Sequence, residues 1–545
     1  MAAPSYTTDL TLINTANATT DWSEPGAPET GGGLPQNGTE FFIEGTACIS
    51  KACAGAGGIS GGVLYNAGSG LTIAADDAVY IWLVFAAPNT LLDRTAGGYA
   101  VCIGDLITAY RKWYVLGKDN YAYGGWVCVA VDPAVAGSID IGSPSGTRQY
   151  FGAVVKTSAT ISKGEPFGVD VVRHGRTLQT VDGSVADGLG TFAGAAAAND
   201  EQTAARWGIF QAIAGGYQLQ GRFLLGTAAT AVDFRDSNTT ILIANTLFVT
   251  AGFNVIEVRH ASSRVDLTAV SFSALGTVSR GNFLVTHNAD VNIDACSFTG
   301  MGTFVLLSAT AILNSTLRDC DTITANGAIL NGSSVLTSRV AADESALLWN
   351  VADGDPDGNL DDMTFSKGTN DHHAIALTPN AATTAVTLRR ITFTGFSATN
   401  EQSSSVLELE DRGADTTWNI NTVSTTGTVS YKKRRGTDTV NIIANPVTLT
   451  VTVVDLLSGN PIQNVNVLVE AAAGGPLGVG TDIIKALTDI NGEVADTRTY
   501  ASNQPITGRA RLATTGGPLY KTGSIAGIIN SASGLNLTVQ MILDT

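Results

Sequence analysis

Between residues 219 and 423 an apolar residue is repeatedly followed by a second one five positions later. The pair returns about every 25 residues, a period typical of stacked repeats. It reads Leu219/Leu224, Leu242/Leu247, Leu267/Phe272, Ile293/Phe298, Ile312/Leu317, Val335/Val340, Leu360/Phe365, Leu388/Phe393 and Trp418/Val423. The clearest copies are V-D-L-T-A-V-S-F (265–272), V-N-I-D-A-C-S-F (291–298) and V-T-L-R-R-I-T-F (386–393). Upstream of each lies another apolar stretch, at 255–258, 282–285, 303–307, 346–349, 374–377 and 406–409. Runs of four to six alternating residues bounded by Gly, Asn and Asp are strand signals, and β-branched residues and turn formers interrupt any helical period.

A unit this short cannot bury its own apolar face and must stack on its neighbours. Two or three strands per turn and turn loops of unequal length predict a right-handed parallel β-helix over 199–435, with about nine rungs. At about 4.8 Å per rung, eight steps span on the order of 40 Å. A sandwich of long meanders is the structural rival.

The flanking pattern differs. Residues 78–85, 126–131 and 167–172 form longer alternating strands separated by Gly-rich turns, which predict an amino-terminal antiparallel β-sandwich of jelly-roll or lectin type over 1–198. The segment N-D-E-Q-T-A-A-R-W-G-I-F (199–210) is the one helix candidate, with Asn199 or Asp200 as cap and an apolar end suited to plugging the coil. Residues 436–446 read as a linker. From Val447 strict alternation resumes, and 447–545 predicts a compact Ig-like β-sandwich of about seven strands. The fold class is therefore all-β.

Composition agrees with that class: 61 glycines and a charged fraction of 14% suit a turn-rich β protein of 545 residues. A formal net charge of −17 opposes binding to nucleic acid, whose phosphates call for a basic face. The one basic run, Lys432-Lys433-Arg434-Arg435, fits a solvated loop or an ion-pair site. Met1-Ala2-Ala3-Pro4 leads into polar sequence, so no cleaved signal peptide is expected, and no apolar stretch is long enough to predict a membrane span. The six cysteines, Cys48, Cys53, Cys102, Cys128, Cys296 and Cys320, lack zinc-ligand spacing. Cys102 and Cys128 sit in apolar runs as small hydrophobes, while Cys48 and Cys53 are close enough in sequence to bridge a loop.

The stretch D-L-L-S-G-N-P-I-Q-N-V-N-V (455–467), followed by T-D-I-N-G-E-V (488–494), resembles the carboxypeptidase-regulatory-like, or prealbumin-like, sandwich module. In that module these segments form a hairpin turn and a strand-entry turn, with no catalytic residues. The whole order, from L-T-L-I-N-T-A-N-A-T-T-D-W (10–22) through the repeat to G-P-L-Y-K-T-G (517–523), resembles structural proteins of tailed-bacteriophage virions. The resemblance implies a fibre, spike or capsid decoration that is made in the host cytoplasm and released by lysis. It also implies a homotrimer, contacts with other capsid or tail proteins, and host attachment through a surface glycan. A polysaccharide-degrading tailspike is the alternative.

Three sets of residues are candidates for chemistry. Glu257, Asp266, Asp294 and Asp319 lie on successive repeats, and a glycan-cleaving enzyme needs a pair of carboxylates. Asp266 and Asp294 would be neighbours if they stacked at equivalent positions, although solvated side chains are expected there anyway. Asp353, Asp355, Asp357 and Asn359 open like a calcium loop, but the twelfth position is Thr364 rather than Glu; an Asp/Gly-rich turn is the competing reading. Trp113, Tyr114, Tyr121, Tyr123 and Trp126 could stack on sugar rings, or serve core packing or a subunit contact. His372-His373 would point to opposite faces of a strand and so would not share a metal. Apart from calcium no cofactor is implied.

Overall fold

A computed structural model describes residues 4–27, 33–53, 60–93, 98–117, 125–137, 139–158, 167–181, 188–200, 206–246, 248–274, 276, 280–444, 446–500, 502–512, 518–531 and 533–544. Nearly all regular structure in them is β-strand. The chain divides into two compact units: Met1–Asp353 with Met363–Ala376 and Thr394–Phe396, and Gly354–Asp362 with Leu377–Phe393 and Ser397–Thr545.

The first unit begins with two six-stranded antiparallel sheets. One contains Ala78–Phe85, Val127–Val131 and Phe167–Gly175; the other contains Ser60–Leu71, Tyr99–Leu106, Ala109–Leu116 and Arg148–Lys156. Alternate residues of both point into one core, with Val79, Ile81, Leu83 and Phe85 meeting Val101, Ile103, Phe151 and Val155. All six cysteines are buried and free, so Cys48 and Cys53 form no bridge. Burial pushes the thiols of Cys53 and Cys320 up to about 12 and that of Cys296 to about 11, which keeps them unreactive.

The repeat then builds three ladders of parallel strands, of which the second is the shortest. The first runs through Thr177–Val181, Arg222–Leu225, Val255–Val258, Asn282–Val285, Phe304–Val305, Ile323–Thr324 and Ser345–Asn350. The second holds Asp233–Ser237, Arg264–Thr268, Asp290–Asp294 and Thr310–Leu313. The third starts with the hairpin Phe210–Ile213/Gly216–Leu219 and continues through Thr240–Ile243, Ser271–Ala274, Ser297–Thr299, Thr316–Arg318, Ser334–Thr337 and Thr364–Lys367.

The five-residue spacing has a backbone cause. Between the second and third ladders the chain bends at one residue in the left-handed region, two positions after an inward residue: Ala269 (φ 55°), Ala295 (φ 53°), Asn314 (φ 49°) and Gly332 (φ 70°). Asp362 (φ 61°) and Arg390 (φ 54°) occupy the same place in later copies. The bend returns the fifth residue to the interior, so Leu267 and Phe272, or Ile293 and Phe298, are both buried. Phe272 and Phe298 stack with centroids 4.9 Å apart and planes 1° from parallel.

Four of the pairs read from sequence are out of phase with this rule. Leu242 pairs with Ser273 and is only half-buried; the inward residue is Ile241, and the polar Asp236 stands where Leu267 stands one repeat later. Leu219 lies beside Ile243 on the third ladder, and Leu224 beside Glu257 on the first. Val335 aligns with Leu317, which makes Leu330 its partner five positions earlier. Trp418 aligns with Thr384, so Thr422 is the residue that matches Leu388.

The helix is also displaced from expectation. It spans Phe192–Asp200, upstream of the charged segment, and begins at Thr191, whose hydroxyl accepts the Gly194 N–H at 2.9 Å. Its run of alanines has high intrinsic helix propensity but no polar face to reveal a period. Phe192 is 2% exposed and touches Phe210, Phe223, Phe234 and Phe272, which come from all three ladders. It packs where the three ladders begin, the end that 199–210 was expected to plug. Residues 201–205 of that segment lie outside the described residues.

In the second unit Thr383–Arg389, Thr417–Val423 and Thr439–Ala444 form a parallel sheet, and Leu407–Leu409 pairs in parallel with Tyr431–Lys433. Residues 439–444, read above as linker, thus form a further ladder strand, because Val440 and Ile442 continue the register of Trp418 and Ile420. The basic run is an ion-pair site: Arg434 binds the buried Glu408, and Arg435 meets Asp415 at 2.8 Å. From Val447 a three-stranded and a four-stranded sheet enclose a second core that includes Leu449, Val451, Val467, Val469, Ile529 and Val539. Both motifs fall in turns. Asp455 accepts the N–H groups of Leu457 and Ser458, and Asp489 those of Asn491 and Glu493.

Candidate functional site

The four candidate carboxylates are spread over the ladders rather than gathered. Glu257 is on the first ladder between Leu224 and Leu284; it is 8% exposed and flanked by Arg222 at 3.2 Å and Arg259 at 3.5 Å. Asp266 is on the second ladder, next to Arg235 below and Asn292 above, with Arg264 at 2.9 Å and Arg235 at 3.4 Å. Asp294 aligns with Thr268, not with Asp266, and accepts a hydrogen bond from Asn314 at 2.9 Å. The stacked Asp266/Asp294 pair is therefore absent, since the two occupy positions two residues apart along the strand. Asp319 is a left-handed corner residue beyond the third ladder, accepting the Ser338 N–H at 3.2 Å. Each acid is satisfied locally by arginine, amide or backbone, as a solvated face requires.

The calcium-loop residues are likewise committed. Asp357 accepts two hydrogen bonds from Arg389, at 2.6 and 2.8 Å, and this bidentate pair holds its carboxyl below the usual range. Asp355 accepts the N–H groups of Thr387 and Asp357, the Asn359 N–H reaches the Pro356 carbonyl, and Arg390 binds both Asp361 and Asp362. Asp353 ends a short 3-10 turn, Val351–Asp353. Among the described residues no group of three or more His, Cys, Asp or Glu side chains is placed to hold a metal. Millimolar calcium is expected to leave the thermal midpoint unchanged, which scanning calorimetry with calcium and with a chelator checks.

His372 and His373 are both buried and diverge as expected. The His372 ring nitrogens meet the carbonyls of His373 and Thr337, whereas His373 Nε2 faces Asp343 at 3.3 Å.

The aromatic run separates into different environments. Trp113 is 1% exposed in the first core, where its indole N–H donates to the Val135 carbonyl at 3.1 Å, so it packs rather than binds. Tyr114 lies on the opposite face of the same strand, with the Lys112 ammonium 5.5 Å from its ring centre. Tyr121 and Tyr123 lie outside the described residues. Trp126 is half-buried, 6.2 Å from the Phe41 ring.

What the sequence did not single out is the joint between the antiparallel sheets and the first ladder turn. Tyr80, Trp82 and Cys128 face away from the first core and pack on 206–220. The Tyr80 hydroxyl donates to the Gln220 carbonyl at 2.7 Å, and the Gln220 amide donates to the Cys128 carbonyl at 2.9 Å. Arg173 donates to the Arg206 carbonyl at 2.9 Å and to both oxygens of Glu44. Beside it Asp170, fully buried, accepts N–H groups from Ile43, Glu44 and Val171. Val171 pays for this with φ 33° at a bulge in the strand. A lone Asp inside the apolar run F-G-V-D-V-V (167–172) was the available signal.

Burial raises the Asp170 carboxyl to about 7, outweighing the three N–H donors that favour its anion. A value raised above the unfolded range means stability that is complete below about pH 4 and falls as pH rises to 7. The loss is roughly 4 kcal/mol at about 1.4 kcal/mol per unit. Denaturant midpoints followed by tryptophan fluorescence from pH 4 to 7.5 are expected to fall, with a flatter profile for Asp170→Asn.

No protein-family profile matches the chain, and no curated protein matches it. Among solved structures, a catalytic domain of a GH87 alpha-1,3-glucanase in complex with tetrasaccharides aligns at 9% identity over 81% of this chain and 98% of that one, with a TM-score of 0.16. The same type of domain in complex with nigerose aligns at 10% identity over 81% and 98%, with a TM-score of 0.15. Superpositions this loose carry no conclusion about activity. Among the described residues no helix is long and apolar enough to cross a membrane.

Proposed function

We propose that the chain is a bacteriophage virion structural protein, a capsid- or tail-attached fibre, spike or decoration component. In this reading 1–198 is a jelly-roll or lectin-like sandwich, 199–435 a right-handed parallel β-helix, 436–446 a linker extended by one ladder strand, and 447–545 an Ig-like sandwich. The observation that carries it is the set of three parallel ladders with an antiparallel two-sheet module before it in the chain and a second two-sheet module, one sheet of it mixed, after it. Parallel ladders bonded strand to strand make a stiff scaffold, well suited to presenting binding modules. A homotrimer held to other virion proteins, with a host surface glycan as target, belongs to the same reading.

Immunogold labelling of purified particles with antibody against the chain tests it. Label on heads supports a capsid decoration, label on tails a fibre or spike, and unlabelled intact particles overturn the reading. A polysaccharide-degrading tailspike is the second reading. The four candidate carboxylates are not brought together as a pair, and release of soluble sugar from host envelopes would establish it.

A further inference from the structure

A cavity of about 340 Å³ opens at the joint, within the first unit, lined by Ile43, Trp82, Trp126, Arg206, Gln211 and Gln218 among others. Its size falls in the range of small-ligand pockets. Two indoles contribute to its walls, one buried and one half-buried. Gln211 and Gln218 are cross-strand partners on the hairpin that starts the third ladder, so their carboxamides sit side by side on one face. Their strand neighbours Phe210 and Leu219 point the other way, into the coil.

The polar groups here are only partly engaged. Gln211 donates to the Gly208 carbonyl at 3.2 Å, and the Gln218 carboxamide makes no hydrogen bond with another described residue. Arg206 Nε is buried and likewise unpartnered among the described residues. A buried donor without an acceptor is costly, and the guanidinium that carries it belongs to a residue of the cavity lining.

We propose that this cavity binds a pyranose carrying a carboxylate, as one residue of an acidic glycan. An indole covers the C–H face of a sugar ring while leaving its edge accessible. Paired carboxamides offer both donors and acceptors to neighbouring hydroxyls. The lining contains one arginine and no carboxylate, in a chain of net charge −17, so the pocket is locally suited to an anion. The guanidinium of Arg206, the one cation of the lining, supplies the charge-assisted hydrogen bond that tells an acidic sugar from a neutral one.

The test uses the full chain on an array of neutral, uronic-acid and sialic-acid oligosaccharides, then calorimetric titration with the strongest acidic binder. Expected is selective retention of acidic glycans, with Kd rising at least tenfold in Trp126→Ala and in Gln218→Ala. Arg206→Gln, which keeps the main-chain contacts of the joint, should remove the preference for acidic over neutral sugars. Near-UV circular dichroism identical to the parent shows that each variant is folded. Retention of no glycan, retention of neutral glycans alone, or a Kd unchanged in both Trp126→Ala and Gln218→Ala would each overturn the proposal. The outcome is independent of where the protein sits on a particle, which immunogold labelling decides separately.

Discussion

Replacing Phe192 with alanine is expected to destabilise the first unit by about 3–5 kcal/mol, the range for deleting a buried aromatic ring. The size of the loss follows from the position of the ring rather than from hydrophobicity alone. The Phe192 ring centre lies 4.9 Å from that of Phe234, 5.6 Å from that of Phe223 and 5.7 Å from that of Phe210. Removing it leaves a void where three ladders meet, and none of the surrounding strands can close on it without breaking register. It also exposes apolar ring surface of Phe210, Phe223 and Phe234 at that end. Scanning calorimetry should show the thermal transition of the first unit at lower temperature, with increased aggregation on heating. Phe192→Leu, which keeps most of the volume, should recover much of the loss; an unchanged transition in the alanine variant would show that the helix does not close the coil.

A comparable loss, about 3–5 kcal/mol, is expected for Arg173→Ala, because it leaves a carboxylate in a largely buried site without its cation. Arg173 is 5% exposed and binds both oxygens of Glu44 at 2.9 and 3.0 Å. Glu44 in turn accepts the Arg206 N–H at 3.1 Å, and its own N–H is held by Asp170. Without the guanidinium, two acids face each other and the Arg206 carbonyl loses a donor. Arg173→Lys should recover only part of the stability, since an ammonium cannot reproduce the bidentate fork. Denaturant unfolding at pH 7 measures both. The deficit of the alanine variant should shrink at pH 4, where Asp170, its carboxyl raised by burial to about 7, is protonated and the repulsion is relieved; a deficit independent of pH would refute the electrostatic account.

The repeat was legible at most places where both inward positions are apolar, Leu330/Val335 being the exception. Leu267/Phe272 and Ile293/Phe298 fit the rule, and the strands Val255–Val258 and Asn282–Val285 coincide with the apolar stretches read from sequence. It was misread where a polar residue takes an inward place, as at Asp236, or where an apolar residue faces outward, as Leu242 does. Hydrophobicity marks the face of a strand only through such exceptions, so phase is lost before period. The helix escaped because alanine carries no amphipathic signature. Of the cavity lining only Trp126 stood out in the sequence; Trp82, Arg206, Gln211 and Gln218 come together through a joint between distant segments, which no local pattern encodes.

The left-handed corner also sets how such a coil can change length over evolution. From Leu267 through Ala269 to Phe272 the count is held by the backbone bend, so one inserted residue would turn every later side chain on that strand to the wrong face. Between the third ladder and the first, by contrast, the connection is free to vary: Ser271–Ala274 and Asn282–Val285 are separated by more chain than Ser297–Thr299 and Phe304–Val305. Insertions and deletions should therefore accumulate away from that corner, at the connections into and out of the first ladder. New surface can be added there while the ladders beneath keep their register.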